Sequence, residues 1–123
     1  MSANPGRPQG YSFELFPPKT PEGMTKLRRT VLELNEVAPE YFSVTYGAGG
    51  STRERTFETV AWLRATGIET APHLACIGSR REDVRQILAH YREQSIRRIV
   101  ALRGDLPSGM GVGAAGDFRY ANE

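Results

Sequence analysis

The strongest constraint in this sequence is a period. Four short stretches read as β-strands, Tyr11–Phe16, Glu40–Thr45, Glu69–Leu74 and Arg98–Arg103, and their ends fall at residues 16, 45, 74 and 103, 29 residues apart each time. Roughly thirty residues is the size of one strand–helix unit. The intervening segments read as helices. Thr20-Pro21-Glu22 combines an N-cap, a proline at the first helical position and an acid in the first turn, and Met24, Leu27, Val31 and Leu34 follow at helical spacing. Ser51-Thr52-Arg53-Glu54 and Ser79-Arg80-Arg81-Glu82 both match the capping-box pattern at the same phase of the repeat. Phe57, Val60, Ala61 and Leu63 form the predicted stripe of the second helix, which Thr66-Gly67 ends. Val84, Ile87, Leu88 and Tyr91 form that of the third.

Strands alternating with helices predict an α/β fold with a parallel sheet. An open doubly wound sheet and a barrel share the pattern. Length leaves both open and bounds one of them. A complete (β/α)8 barrel takes about 250 residues, and 123 residues hold only about half of one. Residues 1–10, rich in proline and glycine, read as a disordered lead-in, and residues 11–123 as one α/β domain. Gly104, Gly109, Gly111, Gly113 and Gly116 predict a mobile loop, and residues 117–123 the first turn of a fourth helix. A parallel sheet ending on an uncovered strand exposes apolar surface and an edge. The expectation is therefore a fragment of a longer chain, or half of an assembly.

Composition excludes several classes. Sixteen Lys and Arg against fourteen Asp and Glu give +2, too near neutral for a protein defined by binding nucleic acid or a membrane surface. No apolar run is long enough to span a bilayer, and the N-terminus lacks the apolar core of a signal peptide. The single cysteine, Cys76, excludes an internal disulfide and a multi-cysteine zinc site. These features predict a soluble, cytoplasmic protein without a metal. Homo-oligomerisation is compatible with the sequence and not specified by it.

In α/β folds, ligands bind at the carboxyl ends of the strands. Four such ends carry unusual residues. Glu14 interrupts the apolar strand of Phe13-Glu14-Leu15-Phe16-Pro17-Pro18. It reads either as a solvated or ion-paired carboxylate, or as a carboxyl kept protonated by apolar neighbours to serve as a general acid. Ser43-Val44-Thr45-Tyr46-Gly47-Ala48-Gly49-Gly50 reads as an ordinary turn, or as backbone that cradles a phosphate or lies against a planar ring. His73 follows Pro72, which is disfavoured in a central strand and predicts an irregular strand end; the histidine reads as a satisfied core residue or a site residue. Arg103-Gly104-Asp105 reads as an ion pair in a turn, or as an Arg for an anionic group and an Asp for a polar ring edge.

Other features are bland. Gly111-Val112-Gly113-Ala114-Ala115-Gly116 matches the dinucleotide fingerprint but begins eight residues after Arg103 instead of directly after the first strand, and reads as flexible loop. His90, Arg80, Arg81, Arg85, Arg97 and Arg98 read as solvated, Trp62 as packing and Cys76 as a small buried residue.

The strings SFELFPPKT (12–20), YFSVTYGAGG (41–50), APHLACI (71–77) and RRIVALRGDLP (97–107), in this order, resemble the methylenetetrahydrofolate reductase family. The resemblance implies a (β/α)8 barrel holding FAD, with residues 11–123 as a partial barrel domain of about the first four βα units. It implies hydride transfer from that flavin to 5,10-methylenetetrahydrofolate, giving 5-methyltetrahydrofolate, with NADH or NADPH as reductant at the same site. Residue by residue, Glu14 matches the catalytic acid and Thr45 a residue near the nicotinamide. Tyr46, Ala48, His73, Arg103, Gly104, Asp105 and Tyr120 match flavin-contacting positions, and Asp105 also lies near the folate. On this reading Glu14, buried by Phe13, Phe16 and the prolines, protonates the substrate at N10 and opens its imidazolidine ring. Asp105 then stabilises the resulting 5-iminium cation. Two alternatives remain open: a non-catalytic half-barrel module that self-associates or pairs with a partner, and another flavin barrel enzyme of the proline dehydrogenase kind.

Overall fold

The computed structural model describes residues 10–45, 50–76 and 79–102. Strands β1 (Ser12–Leu15), β2 (Tyr41–Val44), β3 (Thr70–Ala75) and β4 (Val100–Leu102) alternate with helices α1 (Pro21–Leu34), α2 (Gly50–Ala65) and α3 (Arg81–Glu93). A 3-10 turn, Asn35–Val37, extends α1. The four strands form one sheet in the order β1-β2-β3-β4, and every pair is parallel. The repeat predicted from the sequence is therefore present.

The order and the layering separate the two folds that periodicity left open. A doubly wound sheet reverses direction at its first strand and places helices on both faces. Here the order is strictly sequential. Val31 of α1, Val60 and Leu63 of α2, and Ile87 and Tyr91 of α3 all join one core cluster with Leu15, Phe42, Val44 and Leu74. All three helices thus cover the same face of the sheet. This is the α/β arrangement of the first units of a (β/α)8 barrel, whose other face lines the interior.

Local chemistry sets the helix ends. At α1 the Thr20 hydroxyl accepts from the Gly23 N–H at 3.0 Å, as predicted. Helix α2 begins at Gly50, one residue before the serine expected to cap it. At α3 the predicted serine box shifts by one residue: Ser79 is buried, and the Arg80 N–H donates to Asp83 Oδ2 at 3.1 Å. Helix α2 ends as predicted. The Gly67 N–H donates to Arg64 O and the Ile68 N–H to Leu63 O, each at 3.0 Å, with Gly67 at φ +84°. This is a Schellman closure. The end of α3 repeats it with Ser95 at φ +61°, where Ser95 and Ile96 donate to Arg92 O and Tyr91 O at 3.0 Å.

Two predicted stripes differ in detail. Along α2 the buried positions among the described side chains are Thr56, Thr59, Val60 and Leu63, while Phe57 and Ala61 are half-buried. The threonines tolerate burial because each hydroxyl donates to a backbone carbonyl, Thr56 to Thr45 O at 2.9 Å and Thr59 to Arg55 O at 2.8 Å. Along α3, Leu88 is exposed.

Pro72 also departs from expectation. It lies inside β3, fully buried, in register with Val44. The Phe42 N–H donates to Glu69 O, and the Cys76 N–H to Leu102 O. Odd-numbered residues of β3 therefore bond to β2 and even-numbered ones to β4. The donor that proline lacks would point to β4, whose pairing starts only at His73↔Val100. No ladder bond is lost, so the proline is tolerated.

Candidate active site

Side chains alternate between faces along a strand. Leu15, Phe42, Val44 and Leu74 point into the helix layer, so Glu14, Ser43, Ala71 and His73 belong to the opposite face, which is free of helices among the described residues. Glu14, Ser43 and Ala71 stand in register across β1, β2 and β3, and His73 is one step further along that face of β3. The result is a charged residue and an imidazole at the carboxyl ends of two strands, with two small side chains between them.

Glu14 and His73 meet across this floor. His73 Nε2 lies 3.4 Å from Glu14 Oε1, an ion pair when the imidazole is protonated. The histidine side chain is 11% exposed and the glutamate side chain 52%. Ser43 and Ala71 are buried. The apolar enclosure expected around Glu14 is not formed by this chain. Phe13 points into the helix layer, where its ring lies 5.7 Å from that of Phe42. Phe16 is exposed and lines a groove beside α1 with Leu15 and Leu27. Alternation sends Phe13 and Leu15 to the other face, and Phe16 lies beyond the end of β1.

Thr45 continues the same face at the end of β2. Its N–H donates to Leu15 O at 2.9 Å, and its carbonyl accepts from the Thr56 hydroxyl at 2.9 Å. The strand residue following Glu14, the end of β2 and helix α2 are thereby tied together. Thr56 carried no signal in the sequence beyond its position in a helix; only contact between helix and strand reveals it.

Of the predicted site residues, Glu14, Thr45 and His73 are brought to one face. Tyr46, Ala48, Arg103, Gly104, Asp105 and Tyr120 lie outside the described residues, as do the glycine-rich stretch and the predicted fourth helix. Cys76, at the end of β3, is half-buried, and burial pushes its thiol above the usual range. Among the described residues no group of three or more metal-ligating side chains occurs, and no helix is long and apolar enough to cross a membrane. Arg28 lies over the Trp62 ring at 5.5 Å and Arg98 over the Tyr41 ring at 4.7 Å. His90 is exposed, with its ring 4.9 Å from Phe57.

The sequence of this site is not isolated. The chain is 46% identical over 101 residues to the 5,10-methylenetetrahydrofolate reductase of Salmonella typhimurium, a match covering 81% of this chain and 34% of the relative. It is 45% identical over 101 residues to the protein of that name from Escherichia coli K12, again over 34% of the relative. Methylenetetrahydrofolate reductase (NADH) 1 of Arabidopsis thaliana is 37% identical over 100 residues, 17% of its own length. The chain thus spans about a third of the bacterial relatives it matches. The family pattern described as methylenetetrahydrofolate reductase matches residues 3–123. With that match over nearly every residue, and the sequential parallel sheet that carries it, the chain belongs to the methylenetetrahydrofolate reductase family.

Proposed function

We propose that this chain contributes the first βα units of a flavin-dependent enzyme that reduces 5,10-methylenetetrahydrofolate to 5-methyltetrahydrofolate with NADH or NADPH. The observation that carries the reading is the Glu14–His73 pair on the helix-free face, at 3.4 Å. The bacterial relatives' names supply the substrate. The plant relative's name supplies a nicotinamide reductant.

The residues present fit a flat aromatic ligand. Ser43 and Ala71 are small and buried, so the floor between Glu14 and His73 has low relief, and His73 offers a ring nitrogen at its rim. FAD bound there would supply the hydride. His73 and Thr45 are the described residues that would hold it, joined by Tyr46, Ala48, Arg103, Gly104, Asp105 and Tyr120.

Glu14 acts as the general acid. It gives a proton to N10 of the folate; the bond from N10 to the bridging carbon breaks with its electron pair going to N10, and N5 becomes an iminium. His73 holds the Glu14 carboxyl in one orientation and donates to it when the imidazole carries the proton. Asp105 stabilises the cation by charge. The remaining barrel units and the bound ligands exclude water from a carboxyl that is half exposed in this chain. Glu14→Gln tests the reading: folate reduction is lost, while NADH or NADPH still bleaches the flavin. Folate turnover surviving in that variant removes Glu14 from the mechanism.

A further inference from the structure

Thr45 donates its N–H to Leu15 O at 2.9 Å. In a parallel ladder the same residue accepts from the N–H two positions further along that neighbour. For Thr45 this is residue 17, a proline without an N–H. The Thr45 carbonyl has therefore lost its ladder donor. The Thr56 hydroxyl replaces it at 2.9 Å, from a side chain that is fully buried. Backbone carbonyls this close to a core need a partner, and here a helix side chain supplies what the strand does not.

We propose that Thr56 is a positioning residue for the redox ligand. By holding the Thr45 carbonyl it sets the rotation of the peptide that follows β2. This in turn sets the direction of the Thr45 side chain on the face shared with Glu14 and His73. The inference rests on the reading of Thr45 as a residue beside the nicotinamide and flavin. Pro17 and Thr56 act as complementary parts: the proline removes a donor and the threonine restores it from another element, so β1 holds the Thr45 N–H and α2 holds its carbonyl.

Thr56→Val keeps the shape and removes the donor; Thr56→Ser keeps the donor. FAD affinity by fluorescence quenching and KM for NADH and NADPH are measured well below the unfolding midpoint, with urea unfolding of the apoprotein alongside. Thr56→Val is expected to weaken FAD binding and raise KM by about tenfold each, the scale of one lost hydrogen bond. Thr56→Ser stays within about twofold of the starting protein. Adding Pro17→Ala to Thr56→Val returns an N–H at residue 17 and restores binding. A valine variant that unfolds earlier yet keeps both constants overturns the inference and leaves the site standing, as does a double variant no better than the single one. If the starting protein, tested together with the remaining barrel units, binds no FAD, the functional reading falls and takes this inference with it.

Discussion

His73 Nε2 approaches Glu14 Oε1 to 3.4 Å although β1 and β3 are not neighbours in the sheet. β2 runs between them, and its residue in register with Glu14 is Ser43. The contact exists because that side chain is small. Ser43→Leu is expected to stand between the two groups and raise the floor, lowering FAD affinity by about tenfold or more. Fluorescence titration reads the loss, and unchanged affinity would show that the floor does not bear on the ligand.

Glu14 offers a separation of stability from chemistry. Its side chain is 52% exposed and its partner is a single imidazole. Half-exposed pairs of this kind contribute little, so Glu14→Gln is expected to change unfolding free energy by less than about 0.5 kcal/mol. The same substitution should cost folate reduction at least about 100-fold, the scale of a lost general acid. Urea unfolding and a folate assay on the same preparation read both quantities.

Cys76 carries a pH dependence whose sign follows from burial. Desolvation raises its thiol above the usual range, so the folded state favours the uncharged form. The stability this contributes is fully present below the unfolded thiol's pKa and is lost as pH rises through the folded value. Alkylation by iodoacetamide should accelerate at higher pH than for a free thiol. Cys76→Ser should remove that part of the alkaline decline in stability.

The two left-handed helix ends form a matched test. Gly67, at φ +84°, has open space where a Cβ would stand. Gly67→Ala therefore introduces only backbone strain and should cost about 1 kcal/mol. Ser95 sits at φ +61° without being glycine, so Ser95→Gly should stabilise by about 0.5–1 kcal/mol. Denaturant midpoints of the two variants should move in opposite directions.

Much of the architecture was legible because it is local or periodic. Thr20 caps α1, Gly67 ends α2, and β1, β2 and β4 lie within the segments that the repeat marks out, while β3 runs one residue past its own to Ala75. The cap of α3 moved by one residue because Asp83 and Glu82 are equivalent to a pattern but not to a backbone N–H. Burial along α2 was misjudged because hydropathy counts Thr56 and Thr59 as polar, whereas a hydroxyl bonded to a carbonyl packs like an apolar group. Pro72 misled because a missing donor matters only where a neighbouring strand waits to receive it.

Residue order along the chain sufficed for the unit size, the parallel sense of the sheet and the family likeness, through which Glu14, Thr45 and His73 became candidates. Those are properties of spacing and residue type. The tertiary structure decided which face each of them occupies, that all helices gather on one side, that Ser43 leaves room for a carboxylate and an imidazole to touch, and that Phe13 turns away from Glu14. The physical reason is pleating: one residue of offset sends a side chain to the other face, and which face is closed depends on helices distant in sequence.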